Sequence, residues 1–132
     1  MDIQFSIVKD LGNKEKERVI LKVLKNTDLG GYMVATSLEN DDNSTISASV
    51  SNVFWLPDQK LKIGDLVVLY TMAEKKGKID NKDGSTSYFY SWGLNSSIGN
   101  NKRMTVVLFE VDWSYRRIFP EEIKADELLS EK

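Results

Sequence analysis

The stretch "NVFWLPDQKLKIGDLVVLYT", residues 52–71, is the part of the sequence that decides the fold. It begins with a short aromatic segment, turns at Pro57 and Asp58, and ends in an apolar run at residues 66–70. A run that is apolar on both faces is typical of a central strand between two layers. We therefore predict a strand, a crossover loop and a central strand, with Leu61 anchoring the loop in the core.

The segments on either side alternate apolar and polar residues, which is the pattern of half-buried strands, and a helix over residues 15–25 is the alternative for the second of them. In the first of them, Ile3, Phe5 and Ile7 are expected to share one face. Because turn-forming residues separate the segments, we predict an all-β, two-sheet sandwich of about seven to nine strands over residues 1–118. A closed barrel is the alternative. Residues 119–132 change period after Pro120 and are predicted to form a C-terminal helix or a flexible tail.

Composition excludes several classes of chemistry. The chain has 132 residues, which fits one domain, and a net charge of −2. It contains no cysteine and no histidine, so disulfides, thiolate nucleophiles and Ser-His triads are excluded. We predict no cofactor and no metal, because the acidic stretches do not match a calcium loop. The N-terminus lacks the pattern of a secretory signal, so a cytoplasmic protein without a membrane segment is expected.

An aromatic strand between two polar segments is the candidate binding region. Residues 73–86 are rich in lysine and glycine and are predicted to form a long mobile hairpin loop, and residues 95–103 a second loop. The ring of Trp92 is the best candidate for exposure, because the adjacent Gly93 lets a partner approach closely. The predicted partner-binding residues are Trp92, Tyr90, Tyr88, Lys102 and Arg103. The alternative is that the rings fill the core and the basic side chains are solvated loop charges.

The order of these features resembles that of the lamin-tail family. The resemblance covers about residues 17–112 and depends on three stretches: "ERVILKVLKNTDLGGYMV", "VFWLPDQKLKIGDLVVLYT" and "YFYSWGLNSSIGNNKRMTVVLFEVD". Asn26, Leu29 and Gly30 match the family's first turn, and the Pro turn and Leu-x-x-Gly step of the second stretch match its crossover. The family's last turn is not matched, because residues 99–103 lack its Trp and Gly-Asp. The resemblance implies an immunoglobulin-like sandwich and a binding or scaffolding role.

These observations favour a non-enzymatic interaction or scaffolding module that binds a protein partner through its loops and a sheet edge. The alternative is a nucleic-acid or carbohydrate binder that uses exposed aromatics and loop lysines, although the nearly balanced charge argues for weak nucleic-acid binding. Self-association as a homodimer is a further expectation, because unprotected sandwich edges tend to pair. The sparsely charged segment "TISASV" at residues 45–50 is the predicted free edge.

Overall fold

A computed structural model of the chain describes residues 1–41 and 45–119. Within these residues the chain forms ten strands, two of which contain only two residues each. They are β1 (Ile3–Lys9), β2 (Arg18–Val23), β3 (Thr27–Asp28), β4 (Tyr32–Leu38), β5 (Ser51–Trp55), β6 (Lys60–Leu61), β7 (Leu66–Tyr70), β8 (Gly77–Asp80), β9 (Thr86–Ser91) and β10 (Met104–Glu110). The helical elements of the described part are two short 3₁₀ turns, Leu29–Gly31 and Ile98–Asn100. The all-β prediction is confirmed.

The strands form two main sheets that pack face to face. The larger sheet has the order β1-β2-β7-β9-β8, the smaller one has the order β10-β4-β5, and β3 and β6 form a separate short pair. Neighbouring strands are antiparallel except β7 and β9, which run parallel. Buried Leu21 and Leu69 of the larger sheet belong to the same core cluster as Val34 and Leu108 of the smaller one. The chain is therefore a two-layer sandwich, as predicted.

The stretch at residues 52–71 folds as the sequence predicts. Strand β5 leads into a crossover that contains β6, and β7 follows in the middle of the larger sheet. Leu61 is buried in the core, as are all three central residues of β7. The carboxylate of Asp65 fixes the entry to β7, since it accepts hydrogen bonds from the backbone N–H groups of Lys62 (2.8 Å) and Thr86 (2.9 Å).

The predicted phase of β1 is wrong after its third residue. Phe5 pairs with Leu21, but the register then shifts, so that Val8 pairs with Val19. Cross-strand partners point to the same face of a sheet. Phe5 and Val8 therefore face inward with buried partners, whereas Ile7 faces outward. The irregularity between Phe5 and Ile7 is a β-bulge, which inserts one extra residue and reverses the alternation.

The predicted long loop at residues 73–86 contains strand β8, so this prediction is wrong in part. A tight turn closes the β8–β9 hairpin, where the N–H of Asn81 donates to the carbonyl oxygen of Ser85 (2.8 Å). All four residues of β8 are exposed, so the strand buries no alternating apolar face. Its pairing with β9 is made by the backbone, which leaves no periodic pattern in the side chains.

The predicted free edge at residues 45–50 is also wrong. This segment makes a single bridge, between Glu39 and Ile46, and does not form a regular strand. The hydroxyl of Ser37 lies within hydrogen-bond distance of the carbonyl oxygens of Ser47 (3.0 Å) and Ser49 (2.9 Å), which fastens the segment to β4. Most of the predicted C-terminal helix or tail, residues 120–132, lies outside the described residues. No helix in the described part has the length and apolarity needed to cross a bilayer.

Candidate functional site

The two sheets differ in width, and this difference leaves one side of the sandwich open. Strands lie about 4.8 Å apart, so five strands span roughly 19 Å and three span roughly 10 Å. The smaller sheet therefore cannot cover both edges of the larger one. Phe5 and Val8 of the edge strand β1 face inward but remain partly exposed. The uncovered inner face of β1 forms one wall of an opening between the sheets.

This opening, which we call the β1–β10 groove, is an apolar cavity of about 580 Å³. Strand β1 and the turn after it form one wall, and the Ile98–Asn100 turn and the first half of β10 form the other. Lys102 is the only charged group among the described residues that line it. The apolar lining residues are Phe5, Val8, Leu11, Ile98, Met104 and Val106, and Ile7, on the other face of β1, borders the opening.

Both strands that border the groove are edge strands. Within the described residues, β1 pairs only with β2, and β10 pairs only with β4. An edge strand presents a row of backbone N–H and C=O groups that can pair with another chain. An apolar groove beside such an edge is the arrangement that recognises an extended peptide, because the edge binds the peptide backbone and the groove accepts alternate side chains.

The buried carboxylate of Glu17 holds one end of the groove in place. It accepts hydrogen bonds from the hydroxyl of Thr71 (2.6 Å), the hydroxyl of Ser97, and the N–H groups of Gly12 (2.7 Å) and Ile98 (3.1 Å). These donors come from the β1–β2 turn, the end of β7 and the loop before β10. One side chain therefore joins three segments and positions Ile98 as a lining residue.

Two opposing effects set the pKa of Glu17. Burial removes water from the carboxylate and by itself raises the pKa, whereas the hydrogen bonds from Ser97, Thr71, Gly12 and Ile98 favour the charged form. The hydrogen bonds prevail, and the pKa lies below its ordinary value. Glu17 is therefore an ionised structural anchor at neutral pH, and its oxygens are occupied by protein donors rather than turned toward the groove.

A close contact between Leu11 and Gly99 forms part of the groove wall. A Cβ atom on Gly99 would lie 2.6 Å from Cγ of Leu11, which is closer than real Cβ atoms approach. The Leu11 side chain thus packs directly on the backbone of Gly99. Sequence reasoning missed these groove residues. The available signal was that β1 carries apolar residues on both faces, at Ile7 and Val8 as well as Phe5.

The prediction that Trp92 is exposed is wrong. Its side chain is only 8% exposed and belongs to the core cluster. The indole N–H donates to the carbonyl oxygen of Asn52 at 2.8 Å, which connects the end of β9 to β5 in the other sheet. A large ring that satisfies its polar group internally is more stable in the core than in solvent. Gly93 does follow in a left-handed conformation, with φ of +82°, but it does not expose the ring.

Tyr88 and Tyr90 lie on the inner face of β9. Their cross-strand partners on β7 are the buried Val67 and Leu69, and both rings pack against the core. Burial raises the pKa of the Tyr90 hydroxyl, and the nearby Tyr88 raises it further. Both rings are partly buried, so the aromatic strand is mainly a wall of the core.

The two predicted basic residues have different environments. Lys102 lines the β1–β10 groove. The guanidinium of Arg103 instead donates to the carbonyl oxygen of Glu39 at 2.6 and 3.0 Å and forms an ion pair with Asp41 at 3.1 Å. Arg103 thus fastens the end of β4 to the segment that precedes β10. Of the five predicted partner-binding residues, only Lys102 lies at the groove.

A second cavity, of about 630 Å³, is polar and shares no lining residue with the groove. Its charged lining residues and its one aromatic residue are Lys60, Lys62, Asp65, Lys78, Asp83 and Tyr88. Both carboxylates already accept hydrogen bonds from backbone N–H groups, that of Asp65 from Thr86 and that of Asp83 from Ser85. Within residues 1–41 and 45–119, no three carboxylate, thiol or imidazole groups come together as a metal site.

No protein-family model and no curated protein sequence matches this chain.

Proposed function

We propose that this chain is a non-enzymatic interaction module that binds a protein partner in the β1–β10 groove. The observation that carries the proposal is an apolar groove that lies open between two free sheet edges. The partner supplies an extended segment, whose backbone pairs with β1 or β10. Its alternate side chains enter the groove and contact Phe5, Val8 and Met104.

The expected affinity follows from the size of the site. Each fully buried aliphatic or aromatic side chain contributes about 1.5–3 kcal/mol. Ordering a flexible peptide and losing its translational freedom offset much of this gain. A segment that inserts two or three apolar side chains should therefore bind with a Kd on the order of micromolar. This range suits a reversible scaffolding contact.

The scaffolding role also agrees with the resemblance stated above. We propose that the sandwich is immunoglobulin-like and related to lamin-tail domains. The first turn and the crossover, which resemble those of the family, form part of the structural framework rather than of a binding site. Gly30 supports this role for the first turn, since a Cβ there would lie 1.9 Å from an Asp58 side-chain oxygen. A framework without cysteine needs no oxidising environment, which agrees with the expected cytoplasmic location.

Selection of peptides from a random library displayed on phage tests the proposal. Wild type immobilised at low surface density, so that no second copy reaches its groove, should enrich peptides with apolar residues at alternate positions, and Val8→Lys should reduce their affinity at least tenfold by placing a charge in the groove. Ile63→Lys is the matched control, because Ile63 is exposed and lies outside the groove. The proposal fails if no such peptides are enriched, or if they bind Val8→Lys as tightly as wild type.

A second candidate function is the binding of a nucleic acid or carbohydrate in the polar cavity. The observation in its favour is that Lys60, Lys62 and Lys78 line one cavity together with the ring of Tyr88. Lysines suit phosphate groups, and an aromatic ring suits a base or a sugar. Titration with labelled single-stranded oligonucleotides at 50 and 200 mM salt tests the nucleic-acid version. Binding that weakens with salt and is lost in Lys60→Ala/Lys78→Ala supports it, and undetectable binding at low salt removes it.

A further inference from the structure

The segment that follows β10 exposes several large apolar side chains. Residues 112–119, which we call the strap, form neither helix nor strand. Tyr115 and Ile118 are each 86% exposed, and Phe119 is 81% exposed. Exposure of three large apolar groups in such a short segment is costly in water and marks an interaction site.

The start of the strap is fixed to the sandwich. The N–H of Val111 donates to the carbonyl oxygen of Gly31 at 2.9 Å, which continues the β4–β10 pairing by one residue. The ring of Trp113 then packs edge-on against Trp55, with the ring centroids 5.0 Å apart. The strap is therefore held at Trp113, and its exposed residues extend from this anchored point.

We propose that the strap of one copy of this chain occupies the β1–β10 groove of a second copy. Reciprocal exchange of two straps gives a closed, two-fold symmetric dimer. This inference rests on the proposed function, since it uses the same groove, and it names the partner. The strap and the groove are chemically complementary, because the large side chains of Tyr115, Ile118 and Phe119 would contact an apolar lining.

The position of the strap favours a second copy over its own groove. The groove is lined by Met104 and Val106, which lie in the first half of β10, whereas the strap leaves the opposite end of that strand after Glu110. The contact between Trp113 and Trp55 then directs the strap toward β5, which is the far edge of the smaller sheet from β10. The strap thus leads away from the groove of its own chain.

The area available also suits a dimer. A buried aromatic side chain removes about 150–250 Å² from water. Three large side chains per strap therefore bury roughly 450 Å². Two exchanged straps bury roughly 900 Å², and the groove surface that they cover brings the total toward about 1,200 Å², the lower end of the range for specific protein–protein interfaces.

Analytical ultracentrifugation of four proteins tests the inference. Wild type should sediment at twice the chain mass of 15.0 kDa at micromolar concentration. The strap variant Ile118→Ser/Phe119→Ser and the groove variant Val8→Lys should each sediment as monomers. Ile63→Ser should remain dimeric, because Ile63 is 68% exposed but belongs to neither surface.

A mixture of the strap variant and the groove variant distinguishes a dimer formed by strap exchange from other modes of association. The strap variant retains a groove and the groove variant retains a strap, so an equimolar mixture should form a one-to-one heterodimer. A labelled peptide of residues 112–119 should likewise bind the strap variant and lose at least tenfold in affinity toward Val8→Lys, as measured by fluorescence anisotropy.

Monomeric wild type at 100 μM would overturn the inference, and so would a strap variant that stays dimeric. Absence of strap-peptide binding to the strap variant would also overturn it. These results leave the proposed function standing if library peptides still bind the groove. Failure of both the strap peptide and the library peptides would remove the groove as a binding site altogether.

Discussion

At the residue scale, one buried carboxylate organises one end of the proposed binding groove. Glu17 is fully buried, yet it receives donors from the β1–β2 turn, the end of β7 and the loop that leads to β10. A buried charge is tolerated only when it is fully hydrogen-bonded. These contacts explain why an acidic residue lies directly before β2 and its alternating apolar side chains.

Glu17→Gln should lower the free energy of unfolding by about 2–4 kcal/mol at pH 7. An amide can keep one acceptor oxygen, but its NH₂ group faces donors that are then left without a partner. Urea unfolding followed by tryptophan fluorescence measures the difference. Glu15→Gln is the control, because Glu15 is exposed and should change stability by less than about 0.5 kcal/mol. Equal stability of wild type and Glu17→Gln would contradict the anchoring role.

The same anchor predicts a dependence of stability on pH. The pKa of Glu17 is lower in the folded chain than its ordinary value, which is about 4.3 in an unfolded chain. The stabilisation is therefore complete above that value and is lost as the pH falls through the lower folded pKa. The stability difference between wild type and Glu17→Gln should narrow as the pH is lowered below about 4. A difference that stays constant or widens in acid would contradict the pKa direction.

Gly30 is required by close packing of two acidic side chains. A Cβ at this position would lie 1.9 Å from an oxygen of Asp58 and 3.2 Å from an oxygen of Asp28. Gly30→Ala should therefore lower the free energy of unfolding by about 1–3 kcal/mol. The adjacent Gly31 is the matched control, because nothing lies within 4 Å of its Cβ position and Gly31→Ala should be nearly neutral. Equal urea midpoints for the two variants would contradict this packing.

At the scale of elements, Trp92 connects the two sheets rather than displaying a ring to a partner. Its hydrogen bond to Asn52 links the end of β9 to β5. Trp92→Phe keeps most of the buried ring but loses the indole N–H, so stability should fall by about 1–3 kcal/mol. Thermal unfolding followed by circular dichroism measures the loss, and Trp113→Phe, in the largely exposed strap, should cost less than about 0.5 kcal/mol in the same experiment. A larger effect at Trp113 than at Trp92 would contradict this assignment.

Strands that bury their side chains in a regular pattern could be predicted from the sequence. Strand β7 buries its whole centre and leaves a clear pattern, whereas β2 buries alternate residues in a stretch whose sequence also allows a helix over residues 15–25. Strand β8 buries none of its residues and is held by backbone pairing, which sequence periodicity does not record. The bulge in β1 also leaves no sequence pattern, because Ile7 and Val8 are both apolar and either could face the core.

The candidate site was harder to predict than the fold. Aromatic residues such as Tyr90 serve a core and a binding face equally well, and only the three-dimensional packing distinguishes the two roles. The groove arises because the sheets differ in width, which depends on how many strands pair on each side. Lys102 was identified because it is a loop charge, whereas Leu11 and Gly99 lie at the groove only through contacts between distant segments.

At the scale of the whole molecule, the difference in width between a five-stranded and a three-stranded sheet explains why an edge of the larger sheet is left uncovered. The smaller sheet, with two strands fewer, cannot cover both edges of the larger one. At the β8 end the overhanging strand is fully exposed and bears Lys78 and Asp80. At the β1 end the overhang carries Phe5 and Val8 and forms an apolar groove. The two edges of the larger sheet therefore differ in chemistry, since β8 bears charged side chains and β1 borders the apolar groove of the proposed function.

Amide hydrogen exchange, resolved by NMR, is the most direct test of the proposed strand addition. It is measured on the strap variant Ile118→Ser/Phe119→Ser, whose groove is not filled by a second copy, with and without a peptide selected for the groove. Amides of β1 or β10 should become protected at least tenfold, while those of β8, the other free edge of the larger sheet, should exchange at an unchanged rate. Protection of β8 instead, or a bound peptide that protects neither β1 nor β10, would contradict the proposed strand addition.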